Sequence, residues 1–543
     1  MAPSISQLPE DSSTVPSSNL KKPTIPPQPS ATSQASQSFN PISVTDLFST
    51  ESAAFTGSAL KATAIQSRHD FIPLGIGRPS AELYPWKNGD VSSYFSGLEA
   101  PVPIPSAPVV ANCDASDASS PAVQSITTAT TTQPGKRPLE VISNEAFTYG
   151  PTPGVTELVS FLTSHVAQIH TPQYRGWRTC LSTGSTAGIE ISLRIFCNRG
   201  DAVLVEEKTY PGFVEASTLI GLHPVPVAMD EDGLRADVLE EVLSSWDCAA
   251  QGGRRKPRIL YTIPTGQNPS GITQPLARRQ EIYGVAQRHG LIIIEDDPYV
   301  YLQMGAYASS PSETQPPAEL PRSYLSLDTC GRVIRLDSFS KIMAPGLRAG
   351  WITASDQIVT KYLAYSENTC GIVSGVTQLL LYNLLCRQWR EEGFLKWREE
   401  LAATYRRRRD AIVGVCLAEL PIAKDIGEGE KKGVCTFRIP EQGMFLWINI
   451  DVRSHPGYAE VLRESRNSED GKEKLRAWRA AFEAQLVVDS LANGVQVTRG
   501  GLFQLGERDR HEVYIRMTFA AAKETELKEG ARRFAEVVRR HFP

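Results

Sequence analysis

Lys341 stands at the end of the run Asp337-Ser338-Phe339-Ser340-Lys341, with Pro345-Gly346-Leu347-Arg348 just beyond it. A primary amine is the side chain that condenses with an aldehyde. The hydroxyls of Ser338 and Ser340 and the guanidinium of Arg348 suit an anion such as a phosphate monoester. Alone, such a run also describes a polar surface turn, so its meaning depends on what the rest of the chain brings to it.

Two other strand-like runs end in polar groups. Ile259–Ile263 leads into Pro264-Thr265-Gly266-Gln267-Asn268-Pro269, and Leu291–Ile294 leads into Glu295-Asp296-Asp297-Pro298-Tyr299. Arg332–Leu336 leads to Lys341 in the same way. Ligands of open parallel sheets bind beyond the carboxyl ends of the strands. An amide, a carboxylate, a phenol and an amine are therefore expected at one edge. That set suits pyridoxal 5′-phosphate, an aldehyde carrying a phosphate. A buried carboxylate keeps the ring nitrogen protonated. Asn268 and Tyr299 can donate to the phenolic oxygen, and Lys341 meets the aldehyde. Gly184-Ser185-Thr186 opens a helical stretch, so free backbone N–H groups and the helix dipole face an anion there. Gly75-Ile76-Gly77-Arg78-Pro79 is no dinucleotide fingerprint, because no helix follows it.

The elements that must position these groups alternate. Helical stretches at 186–197 and 275–289 separate apolar strands beginning at Ala202, Arg258, Leu291 and Arg332. This predicts an α/β domain with a largely parallel sheet. After Gly350 the pattern reads as a long helical region, then a strand from Gly443, a further helix and a last strand from Val513. These predict a second, smaller α+β domain. Residues 1–40 are rich in Ser, Pro, Thr and Gln and read as a disordered tail. A low-complexity insertion spans about 100–138, and shorter polar insertions fall near Ser309–Glu319, Gly427–Lys432 and Ser465–Lys474.

The chain has 543 residues and a net charge of −4, which gives no general attraction to nucleic acid or anionic membrane. Arg406-Arg407-Arg408-Arg409 reads as the solvated face of a helix over Trp397–Val415. Nine cysteines without a C-x-x-C pair suggest neither a metal site nor a disulfide scaffold, and suit a reducing compartment. No apolar run approaches a membrane span and no secretory signal is apparent, so a cytoplasmic enzyme is expected.

With these residues assembled, the chain resembles the fold-type I pyridoxal-phosphate aminotransferases of class I/II. It is most similar to the branch of fungal aromatic-amino-acid, kynurenine and 2-aminoadipate aminotransferases. The resemblance covers about residues 45–540 without the insertions. It rests on Glu295-Asp-Asp-Pro-Tyr299 and on Asp337-Ser-Phe-Ser-Lys341 followed by Pro345-Gly-Leu-Arg348-Ala-Gly-Trp351. It implies a large cofactor domain at 149–365. The small domain would be built from 41–148, which carries the 100–138 insertion, and from 366–543.

The resemblance also implies roles. Lys341 would hold the aldehyde carbon and move the substrate proton, and Asp296, rather than Asp297, would pair with the ring nitrogen. Asn268 and Tyr299 would hold the phenolic oxygen, and Tyr210 would stack on the ring. Ser185, Thr186, Ser338, Ser340 and Arg348 would bind phosphate. Tyr149 would reach the phosphate of a neighbouring subunit in a homodimer. Arg516 would clamp the substrate α-carboxylate as a bidentate pair, with Gly77 and Asn268 beside it.

Two departures stand out. Arg78 occupies a place where the branch often has leucine, and it either meets an acidic substrate end or points to solvent. The phosphate loop reads Gly-Ser-Thr-Ala where Gly-Ser-Gln-Gln is usual. The implied reaction is ping-pong amino transfer from an aromatic, 2-aminoadipate or kynurenine-like amino acid to a 2-oxo acid such as 2-oxoglutarate. Two alternatives stay open. One is another fold-type I enzyme, such as a C–S lyase or an aminocyclopropane-carboxylate-synthase-like protein. The other is a non-catalytic aminotransferase-like domain, whose DNA-binding helix-turn-helix residues 1–40 do not suggest.

Overall fold

The computed structural model describes residues 71–75, 77–80, 147–307, 319–425, 431–465, 469–506 and 511–543. The expected N-terminal tail, the 100–138 insertion and most of the insertions near Ser309–Glu319 and Gly427–Lys432 lie outside the described residues.

Seven strands form the main sheet: β1 (Trp177–Ser182), β2 (Ala202–Glu206), β3 (His223–Val227), β4 (Ile259–Thr262), β5 (Ile292–Asp296), β6 (Val333–Ser338) and β7 (Gly350–Ser355). Their spatial order is β1-β7-β6-β5-β4-β2-β3. The strands from β3 across to β6 pair in parallel, whereas β7 runs antiparallel to both β6 and β1. Every residue of β2, β4, β6 and β7 is buried. Helices cover both faces, which is why these strands read as near-continuous apolar runs rather than alternating ones.

The segment after Gly350 departs from the sequence reading, which continued it as helix. Gly-Trp-Ile-Thr-Ala-Ser is rich in residues that fit a pleated surface, and it closes the gap between β6 and β1. The helix begins only at Asp356.

Helices α1 (Thr156–His170), α2 (Ser185–Phe196) and α3 (Pro211–Ile220) precede or follow the first strands, and α4 (Leu276–His289) crosses from β4 to β5. Helix α2 lies close on β6: a Cβ at Gly188 would stand 2.9 Å from Leu336. This contact fixes the helix start at the edge where β4, β5 and β6 end.

A second sheet has the order β8-β9-β11-β10, with β8 (Cys435–Thr436), β9 (Phe445–Asp451), β10 (Thr498–Arg499) and β11 (Glu512–Thr518). The register of β9 on β11 sets Trp447 opposite Arg516. Ile72–Pro73 pairs in parallel with Val495–Gln496, which carries Gly75 and Gly77 to this sheet.

The helix expected around Trp397–Val415 spans Arg390–Glu419 and is α5 here. Its basic run is not a solvated face, because Arg408 and Arg409 are buried. Arg408 donates to the Ala520 carbonyl at 2.7 Å, and Arg409 donates to the carbonyls of Gly305, Ala306 and Pro440. The run ties α5 to loops of both sheets. The supposed insertion at Ser465–Lys474 is largely helical, with helices at Tyr458–Ser465 and Glu469–Ala492. Among the described residues no helix is long and apolar enough to cross a membrane.

Candidate active site

Beyond the carboxyl ends of β4, β5 and β6 lies a cavity of about 280 Å³. Ser185 and Thr186 from the start of α2, Tyr210 from the start of α3, and Asn268, Asp296, Tyr299, Ser338, Ser340, Lys341 and Arg348 from the strand-end loops line it. Arg516, Phe445, Gly75 and Gly77 close it from the second sheet. The site residues predicted from sequence are thus together, except Tyr149, which stands fully exposed and away from the cavity. Arg78 is exposed as well and does not line it.

The Lys341 amine donates to the Gly77 carbonyl at 2.6 Å. Burial, with Arg516 and Arg348 nearby, lowers its pKa to about 8, against the opposing pull of Asp296. Asp296 is the last residue of β5, and Tyr261 donates to its Oδ2 at 2.7 Å. Its other oxygen, Oδ1, is buried with no hydrogen-bond partner. Burial raises the Asp296 pKa to about 6, and the Tyr261 hydroxyl only partly opposes this.

Tyr299 packs edge-on against Phe445 at 5.6 Å, and burial raises its pKa. Arg516 donates to Asn268 Oδ1 at 2.8 Å and to the Gly75 carbonyl at 2.7 Å. The guanidinium is sandwiched between the rings of Phe445 and Phe503, 4.6 and 4.5 Å from their centroids. Burial lowers its pKa to about 10. Its Nε is buried with no acceptor.

At the other end, Gly184 has φ +85, and a Cβ there would meet the Arg348 guanidinium at 3.0 Å. Arg348 itself has φ 48, a left-handed conformation that a residue with a Cβ seldom adopts. The chain bends there so that the guanidinium faces the start of α2. The Ser185 hydroxyl is buried there without a partner.

These features fit pyridoxal 5′-phosphate. A free carboxylate oxygen awaits a ring N–H, and a glycine-edged helix start with an unsatisfied hydroxyl and a guanidinium awaits a phosphate. An amine with a lowered pKa awaits an aldehyde.

Sequence reasoning missed several residues here. Tyr261 was read only as a strand residue; its hydroxyl meets Asp296 because β4 pairs in parallel with the strand that ends in Asp296. Phe445 gave no signal, since it meets the cavity only through the pairing of distant segments, whereas Gly75 lies in the segment already expected beside the substrate through Gly77.

Architecture and site together define a fold-type I pyridoxal-phosphate enzyme. The chain matches the model for aminotransferase class I and II over residues 115–534 and belongs to that family; it is a pyridoxal-phosphate-dependent aminotransferase. It is 40% identical over 476 residues to aminotransferase swnA of Metarhizium robertsii, covering 87% of this chain and 86% of that protein. It is 34% identical over 404 residues to the aromatic amino acid aminotransferase C56E4.03 of Schizosaccharomyces pombe, covering 73% of this chain and 80% of that protein. Among solved structures it is similar to aminotransferase Aro8 from Candida albicans, with a TM-score of 0.66 and 30% identity over 92% of this chain and 99% of that one.

Proposed function

We propose that this aminotransferase takes the amino group of an aromatic L-amino acid and passes it to 2-oxoglutarate, using the cavity residues in the roles that follow. The observation carrying this reading is the lining itself: three cations, Lys341, Arg348 and Arg516, share it with one carboxylate, Asp296, and with the apolar surfaces of Ile263, Pro298, Pro345 and Phe445. A substrate carboxylate and a phosphate satisfy the cations, and an uncharged aromatic side chain suits the remaining wall. The name of the S. pombe relative supports the same donor class.

Ser185, Thr186, Ser338, Ser340 and Arg348 would hold the phosphate. Asp296 would pair with the ring nitrogen and keep a proton there, Asn268 and Tyr299 would hold the phenolic oxygen, and Tyr210 would stack on the ring. Pyridoxal 5′-phosphate supplies an aldehyde that takes up the amino group and a ring that spreads the negative charge left on Cα. Arg516 binds the α-carboxylate and orients the Cα–H bond toward Lys341. Neutral Lys341 removes the Cα proton and carries it across the cavity. The same residues act in reverse on the incoming 2-oxo acid.

Arg516 keeps its Nε–H and further N–H groups for a carboxylate while it holds Asn268 Oδ1 and the Gly75 carbonyl. Gly75, Gly77 and Asn268, which line the cavity beside Arg516, are the substrate-facing parts of the site. Tyr149 is assigned to the cavity of a second subunit in a homodimer, a reading its full exposure supports. The seven-stranded sheet would be the core of the large domain and the four-stranded sheet that of the small domain, with the division near residue 365. The eight described cysteines are all unpaired, which suits a cytoplasmic location.

Initial rates with Phe, Tyr, Trp, kynurenine and 2-aminoadipate as donors to 2-oxoglutarate test the assignment. An aromatic donor should give the highest kcat/KM. A maximum with 2-aminoadipate would contradict the aromatic reading.

A further inference from the structure

On the face of β5 and β6 away from the cavity, one guanidinium meets three carboxylates. Side chains alternate along a strand, so Glu295 and Asp297 point opposite to Asp296, and Arg335 and Asp337 point opposite to Leu336, which packs under α2. Arg335 lies 3.1 Å from Glu295 and 3.1 Å from Asp297, and it donates to both oxygens of Asp337 at 2.8 and 3.0 Å. None of the four is more than 1% exposed. Thr265, in the loop that carries Asn268, donates to Asp297 at 3.2 Å, and Arg279 donates to Thr265 at 3.1 Å. Glu295 accepts the backbone N–H groups of Tyr324 and Leu325.

Stability alone gives a poor account of this cluster. Removing a guanidinium and three carboxylates from water is costly, and an apolar layer of similar volume is often as stable or more so. What an apolar layer lacks is direction. Glu295 and Asp297 grip the backbone on either side of Asp296, Asp337 directly precedes Ser338, and Thr265 lies three residues before Asn268. The burial of three acids around one cation pushes Asp337 up to about 7, with Arg335 opposing the shift.

We infer that Arg335 is a positioning residue for the cofactor site. Through its three carboxylates it locks together the strand ends that present Asn268, Asp296 and Lys341. The inference rests on the roles proposed above for those residues.

The test uses Asp297→Asn, Asp337→Asn and Arg335→Lys in the full-length enzyme. The first two keep shape, and the third keeps charge but loses the planar fork. Cofactor affinity, kcat, donor KM and the melting temperature of the cofactor-free protein are measured for each. Outer-shell partners of metal ligands are typically worth about 10–100-fold in affinity or activity, and the same scale is expected for residues that orient cofactor-binding groups. The expected result is a loss of that size in cofactor affinity and kcat that is not in proportion to the fall in melting temperature across the three variants, with donor KM near the parent value.

Parental affinity and kcat in all three variants would overturn the inference. So would losses that simply follow a fall in melting temperature, or failure of all three to fold, since either makes the cluster a stability element. Covalent cofactor retained by a Lys341→Ala variant would instead sink the underlying assignment.

Discussion

Lys341 and Asp296 face one cavity with pKa values displaced toward each other, and both displacements come mainly from burial. The amine is lowered to about 8 and the carboxyl is raised to about 6. Only a neutral amine attacks an aldehyde. The rate at which cofactor-free enzyme captures pyridoxal 5′-phosphate should therefore rise with pH around a midpoint near 8, followed by absorbance in a stopped-flow mixer. A flat profile from pH 7 to about 9 would show that Lys341 is not the group being titrated. Asp296 works in the opposite direction. Its folded pKa lies above the ordinary value of 3.8, so the folded chain binds the extra proton between 3.8 and about 6. This group thus makes the cofactor-free protein less stable as pH rises through that window. Pairing with a ring N–H offsets the cost, so cofactor affinity should fall as pH drops through about 6. Asp296→Asn should abolish that dependence and lower kcat by about 10²–10³-fold, the usual loss when a group placed to stabilise developing charge is removed.

The start of α2 shows what an element contributes that a list of residues does not. Gly184 takes φ +85 with ψ 169, a region nearly closed to residues with a Cβ, and it leaves room for the Arg348 guanidinium. Gly184→Ala should cost about 1–3 kcal/mol in backbone strain and also push Arg348 away. Calorimetric melting should show the strain, and titration with pyridoxal 5′-phosphate should show a further loss of affinity. Unchanged affinity would mean that Arg348 does not complete the cradle. This part of the site was legible in the sequence, because Gly-Ser-Thr before an apolar helix is a local signal. So were the polar ends of β4, β5 and β6, since strand, turn and polar residue follow one another along the chain. The antiparallel strand β7 was not legible, because Gly350–Ser355 precedes a strong helical pattern and only its sheet neighbours decide its state. Arg408 and Arg409 were misread for a similar reason. Charge at helical spacing looks solvated until the carbonyls it caps, from Gly305 to Ala520, are brought up by the fold. Arg335 carried no local signal, for its three partners converge only once β5 and β6 are in register.

At the scale of the whole molecule, the proposed homodimer means that one chain alone does not make a complete site. Tyr149 and Phe147 are large, two positions apart in sequence and exposed, and the proposed homodimer gives Tyr149 its role in the other subunit's cavity. Mixing Lys341→Ala with Tyr149→Ala protomers tests this. One of the two cavities in the mixed dimer would combine an intact Lys341 with an intact Tyr149, so activity should return that neither variant has alone. Absence of recovery after verified subunit exchange would confine each site to its own chain. The most direct test of the account follows the amino group itself. Holoenzyme is treated with borohydride before and after addition of an amino donor without any 2-oxo acid, and the digested peptides are read by mass spectrometry. Before the donor, the cofactor should be fixed to Lys341. After it, that adduct should be lost while one equivalent of 2-oxo acid per subunit appears without free ammonia. A cofactor still fixed to Lys341 while ammonia and an eliminated product accumulate, or one fixed to a different lysine, would contradict the account.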